Sequence, residues 1–90
     1  MSDPLLHRLR EQIAEHDRAI LDATNARLRV VIELRRYKEA EGMEFVDPEQ
    51  EARALASLER ANAGPLSREG LRTLFDQILA LTKRELGEES

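Results

Sequence analysis

Residues 4–42 read PLLHRLREQIAEHDRAILDATNARLRVVIELRRYKEAEG, and the fold class follows from this stretch. Asp3 offers an N-cap oxygen, Pro4 suits the first helical position, and no Gly or Pro intervenes again before Gly42. Leu6, Leu9, Ile13, His16, Ile20, Ala23, Arg27, Val30, Leu34 and Tyr37 recur in steps of three and four. That spacing is a heptad-type stripe, the mark of a helix that buries one face against another. At ~1.5 Å per residue, a helix over about 3–41 is a rod of roughly 57 Å. A compact chain of this size has a radius of gyration of only about 12 Å, so the rod must project beyond its own domain. Left bare, its stripe of Leu and Ile would aggregate. The sequence therefore predicts an obligate, intertwined helical homodimer in which a second copy covers the stripe.

After the short loop that begins at Gly42, Asp47-Pro48 repeats the cap-plus-proline start. A second helix is expected over about 47–61, with Ala52, Leu55, Ala56 and Leu58 on its buried side. Asn62-Ala63-Gly64-Pro65 is a terminator and turn. Ser67 then caps a third helix over about 67–86 that carries Leu71, Leu74, Phe75, Ile78, Leu79, Leu81 and Thr82. No strand pattern, internal repeat or low-complexity run is present. The expected class is all-α: three helices, one of them very long, in a single domain over 1–90.

Composition narrows the function classes. Only three residues are aromatic, so the core is aliphatic, which suits helix packing. A net charge of -4 argues against a general nucleic-acid binder, whose affinity would rest on a basic face. The absence of Cys excludes disulfides, thiolate chemistry and Cys-based zinc sites. His7 and His16 fall roughly on opposite sides of the first helix, so no shared metal site is expected. No apolar run approaches the roughly 18 residues of a membrane span. The start of the chain lacks signal-peptide character, and a cytoplasmic location is the expectation.

Arg27 interrupts the stripe where an apolar residue belongs. A buried guanidinium needs an anionic partner, and the stripe offers no obvious acid, so the anion is expected to be a ligand. Lys38 lies eleven residues on, within ~20° of the same helix face and roughly 16 Å along the axis. Arg10 is about 25 Å from Arg27 along the rod, out of reach in one chain, but an antiparallel partner would bring a second Arg10 alongside. Two arginines suit bidentate carboxylate recognition and a lysine supplies a point charge, which implies a small dicarboxylate. Asp47, Gln50 and Glu51 add polar groups at the positive end of the second helix, where Glu51 can accept from a ligand hydroxyl. Asp47 also serves simply as an N-cap, and acids such as Glu51 favour a first helical turn in any case.

These residues resemble the all-α (type II) chorismate mutases over nearly the whole chain. The resemblance is carried by Leu9-Arg10-Glu11-Gln12-Ile13, Asp17, Ile20 and Leu21, then Arg27 and Lys38. It continues through Val46-Asp47-Pro48-Glu49-Gln50-Glu51, Gly64-Pro65-Leu66 and Leu74-Phe75-Asp76-Gln77-Ile78. It implies a cofactor-free enzyme that rearranges chorismate to prephenate in aromatic amino-acid biosynthesis. By position, Arg10 of the partner and Arg27 would clamp the two carboxylates. Lys38 would donate to the ether oxygen, Glu51 would hold the ring hydroxyl, Asp47 would act through its backbone, and Thr82 would line the pocket.

Two positions depart from the family pattern. Gln50 stands where an arginine is usual, and Leu86 stands where a glutamine or protonated glutamate donates to the ether oxygen. A local shift in the third helix would bring Glu85 into play instead. Three related behaviours accommodate these departures: activation by docking to the first enzyme of the shikimate pathway, action on 4-amino-4-deoxychorismate, and isochorismate-pyruvate lyase chemistry. A reading from another class is a non-enzymatic helical dimerisation or regulatory domain that binds an acidic partner.

Overall fold

The computed structural model describes residues 3–87, and these are all-helical, with no strand among them. Three α-helices follow in order: α1 (Pro4–Ala40), α2 (Pro48–Ala61) and α3 (Arg68–Glu85). The chain divides between Arg36 and Tyr37 into two units.

The first unit is the α1 helix up to Arg36. Asp3 starts it: its Oδ1 accepts from the backbone N–H groups of Leu5 (3.0 Å) and Leu6 (3.2 Å), and its carbonyl accepts from His7. These bonds satisfy donors that a helix start leaves without intrahelical partners. No residue of α1 is buried. The expected seam is largely bare in the single chain: Leu6, Leu9, Ile13, Ile20, Val30 and Leu34 are all exposed, Ile20 by 65%. The half-buried positions of α1 are Ala14, Thr24, Arg27, Leu28, Val31, Ile32, Arg35 and Lys38, so of the expected stripe only Arg27 is partly shielded.

The second unit runs from Tyr37 onward. The last turn of α1 closes with a Schellman arrangement: Met43 N–H donates to Lys38 O (2.8 Å) and Gly42 N–H to Glu39 O (3.3 Å). Gly42 takes φ +69°, a left-handed conformation that glycine adopts without steric penalty. Asp47 caps α2, its Oδ1 accepting from Gln50 N–H, and Pro48 occupies the first turn. Asn62 organises the next turn, with Nδ2 donating to Leu66 O and Oδ1 accepting from Gly64 N–H. Ser67 Oγ caps α3 by accepting from Gly70 N–H at 3.0 Å.

Helices α2 and α3 form an antiparallel hairpin, because their cross-links join opposite ends in reverse order. Near the turn, Glu59 accepts from Arg68 Nε (2.8 Å) and Arg72 Nε (3.3 Å). At the far end, Lys83 Nζ lies 3.5 Å from Glu51 Oε1. The Glu59 side chain is 18% exposed, but both arginines are more than half exposed, so solvent screens these ion bonds. Among the described residues only Leu71 and Thr82 are buried.

The helix faces correct part of the expected core. On α2 the shielded line is Glu51, Leu55 and Leu58, whereas Ala52 and Ala56 are exposed. Each alanine sits one residue, or about 100°, past Glu51 and Leu55 and so turns away from α3. On α3, Leu71, Phe75, Ile78, Leu79 and Thr82 are shielded, while Leu74 and Leu81 are exposed on a separate line one heptad apart.

Leu71→Ala is expected to destabilise the fold by about 2–4 kcal/mol, since it removes a buried side chain from a thin core. Ser67→Ala should cost about 1 kcal/mol through the lost cap. Denaturant unfolding followed by circular dichroism checks both, and equal effects would contradict this ranking.

Candidate functional site

The two units carry different parts of the predicted set. In the first, Arg10 is exposed and Arg27 is half-buried, both on α1. Seventeen residues of helix separate them, about 25 Å, so the chain does not bring its own Arg10 and Arg27 together. His7 is engaged with Glu11 one turn on, Nε2 to Oε1 at 3.0 Å, on the exposed surface.

In the second unit Lys38 is half-buried in the last turn of α1. Its Nζ donates to the carbonyl oxygen of Phe45 at 3.0 Å and lies 5.9 Å from the centroid of the Phe45 ring. Both contacts suit a cation: the carbonyl offers a lone pair and the ring a negative face. The loop thus holds the ammonium in place and partly out of water.

Asp47, Gln50 and Glu51 open α2, but their side chains go to different partners. The Asp47 carboxylate is taken up by the cap, and its carbonyl accepts from Glu51 N–H at 3.0 Å. Gln50 turns toward Arg53, its Oε1 accepting from Nη2 (3.0 Å) and Nε (3.3 Å). An arginine therefore stands one turn beyond Gln50. Only Glu51 of the three faces α3, where it meets Lys83.

On α3, Thr82 is 6% exposed, and its hydroxyl donates to Ile78 O at 2.7 Å. Leu86 follows the helix as its C-cap, half-buried, with its backbone N–H on Thr82 O. Its side chain can donate no hydrogen bond. Glu85, one residue earlier, is exposed.

Sequence reasoning missed two participants. Phe45 reads as a loop residue, and only the folded loop turns its carbonyl and ring to Lys38. Lys83 reads as an ordinary last-turn cation. Its relation to Glu51 becomes visible once α2 and α3 are paired antiparallel, a register that Glu59 with Arg68 and Arg72 would have suggested. A concavity of about 640 Å³ also opens at the α2–α3 turn, lined by Glu59, Arg60, Asn62, Arg68 and Leu71 among others. It contains none of the predicted site residues.

Within the second unit the arrangement offers one cation held by a loop, Lys38 on Phe45, and one carboxylate beside a lysine, Glu51 with Lys83. Compared with known families, residues 9–85 match the model of chorismate mutase type II. The chain belongs to that family. No curated protein matches it. Membership in the type II chorismate mutases agrees with the all-α, strandless architecture. The matched span includes Arg10, Arg27, Lys38, Asp47, Gln50, Glu51 and Thr82, and it ends one residue before Leu86.

Lys38→Met keeps the length of the side chain and removes its charge. It should leave helical circular dichroism unchanged and accelerate amide exchange over residues 43–47. Unchanged exchange would show that the loop does not depend on the Lys38–Phe45 contact.

Proposed function

We propose that this chain is a homodimeric, cofactor-free chorismate mutase that rearranges chorismate to prephenate. The observation that carries the reading is the family match over residues 9–85. The bare heptad face of α1 supports the dimer, because exposed Leu6, Leu9, Ile13, Ile20, Val30 and Leu34 form a contiguous stripe of the kind that demands a cover. A second copy of the same helix is the complementary partner, as in an isologous interface. It also resolves the separation of Arg10 from Arg27, since an antiparallel α1 would carry its Arg10 toward the middle of this one.

In this reading, Arg27 and Arg10 of the second copy bind the two carboxylates and hold the substrate in its reactive conformer. Lys38, already oriented by Phe45, stabilises the negative charge that grows on the ether oxygen as the carbon–oxygen bond breaks. Glu51 accepts from the ring hydroxyl, the Asp47 backbone contributes at the start of α2, and Thr82 lines the pocket. The reaction is unimolecular and pericyclic, so positioning and electrostatics are the whole of the catalytic task.

Leu86 supplies no second donor at the ether oxygen, and the loss of such a donor slows reactions of this kind by on the order of 10²–10³. Together with Gln50, this departure favours a second reading: a mutase or lyase acting on 4-amino-4-deoxychorismate or isochorismate, or a mutase activated by docking to the first enzyme of the shikimate pathway.

The test is the loss of chorismate absorbance with purified protein, with products resolved by chromatography. Prephenate is the expected product, and Arg27→Ala or Lys38→Ala should lower kcat/KM by on the order of 10²–10³ with the helical fold intact. Turnover retained in both variants would sink the assignment. A folded protein that neither converts these substrates nor gains thermal stability from a dicarboxylate analogue would instead be a helical dimerisation or regulatory module.

The dimer has its own check. Sedimentation should give twice the chain mass, and Ile20→Glu, which puts a charge into the bare stripe, should yield monomer or unfolded chain. A monomeric wild-type protein would rule out the shared site.

A further inference from the structure

The hairpin sets a cation against the carboxylate assigned above to the substrate's ring hydroxyl. Lys83 Nζ is 3.5 Å from Glu51 Oε1, and the two side chains are 36% and 32% exposed, so water screens this pair only in part. Both ends are anchored. Glu51 belongs to the first turn of α2, its N–H bonded to Asp47 O, and Lys83 directly follows the buried Thr82. The turn end of the hairpin is pinned by Glu59 with Arg68 and Arg72.

We propose that Lys83 is a specificity-determining residue of this site: paired with Glu51, it makes the pocket select a neutral ring hydroxyl over a ring ammonium. The inference rests on the functional reading above and concerns which ring substituent the same site accepts. A carboxylate has two oxygens and about four lone-pair positions, so Glu51 can serve Lys83 and a substrate hydroxyl together. The hydroxyl adds a hydrogen bond and no charge. An aliphatic amine, protonated near neutral pH, would add a second cation beside Lys83 with one carboxylate between them. Repulsion between like charges a few ångströms apart then offsets the attraction to Glu51. Without Lys83 the balance moves toward the amine, because a lone carboxylate binds an ammonium better than a hydroxyl. Lys83 acts through Glu51 and is a positioning residue rather than a catalytic one.

The experiment compares kcat/KM for chorismate and 4-amino-4-deoxychorismate in the wild-type protein, Lys83→Met, Lys83→Gln and Lys83→Arg, each checked for its fold by thermal unfolding. The wild type should favour chorismate. Lys83→Met and Lys83→Gln should move the ratio toward the amine by roughly tenfold, the scale of one charge acting over about 5–6 Å in a half-exposed site. Lys83→Arg should keep the wild-type ratio. A purely structural ion pair would change both substrates alike. An unchanged ratio in a folded, active neutral variant, or a wild type that favours the amine, overturns the role of Lys83 alone. No conversion of either substrate by the wild type overturns the functional reading and this inference with it.

Discussion

Apolar area that a single chain cannot cover is the constraint on which this structure turns. Helices of Leu, Ile, Val and Ala gain stability only by burying a face, at roughly 25 cal/mol per Å². Among the described residues, however, only Leu71 and Thr82 are buried. The seam of α1 and the line of Leu74 and Leu81 on α3 are exposed apolar surfaces. A second copy would give them a partner, and the proposed reading makes assembly and catalysis two results of the same burial. Arg27 would then have its guanidinium drawn out of water, where an anionic ligand offsets the desolvation.

Within the second unit, ion pairs do what the thin core cannot do alone. Glu59 ties the start of α3 to the end of α2 through two arginines, and Lys83 with Glu51 ties the opposite ends. Both cross-links fit this register of the hairpin, and sliding one helix along the other would part them. That register decides which α3 side chain meets the first turn of α2. The polar pairs therefore set the layout of the candidate site as well as supporting the fold.

The three helices were readable in the chain because their signals are local. Asp3-Pro4, Asp47-Pro48 and Ser67 act as caps within one turn, and Gly42 and Met43 close α1 through bonds to Glu39 and Lys38 respectively. Faces were harder, since periodicity finds a stripe but not what lies across from it. Ala52 and Ala56 look like core residues on composition, yet the α3-facing line passes through Glu51 instead. For the candidate site, what singles out Arg27 and Lys38 in the sequence is charge on or beside an apolar stripe, and Glu51 is singled out by its place at the start of α2. The contacts of Lys38 with Phe45 and of Glu51 with Lys83 were not legible, because each depends on how a loop or a second helix returns.

Lys38 holds two posts at once. Its carbonyl accepts the bond that ends α1, and its ammonium grips the loop that follows. An ammonium has three N–H donors, so the bond to Phe45 leaves two for an anion. In the proposed reading the loop decides where that charge stands. Substitutions at Met43, Glu44 or Phe45 that loosen it would then lower affinity with no contact to the ligand, a control on binding that lies outside the site itself.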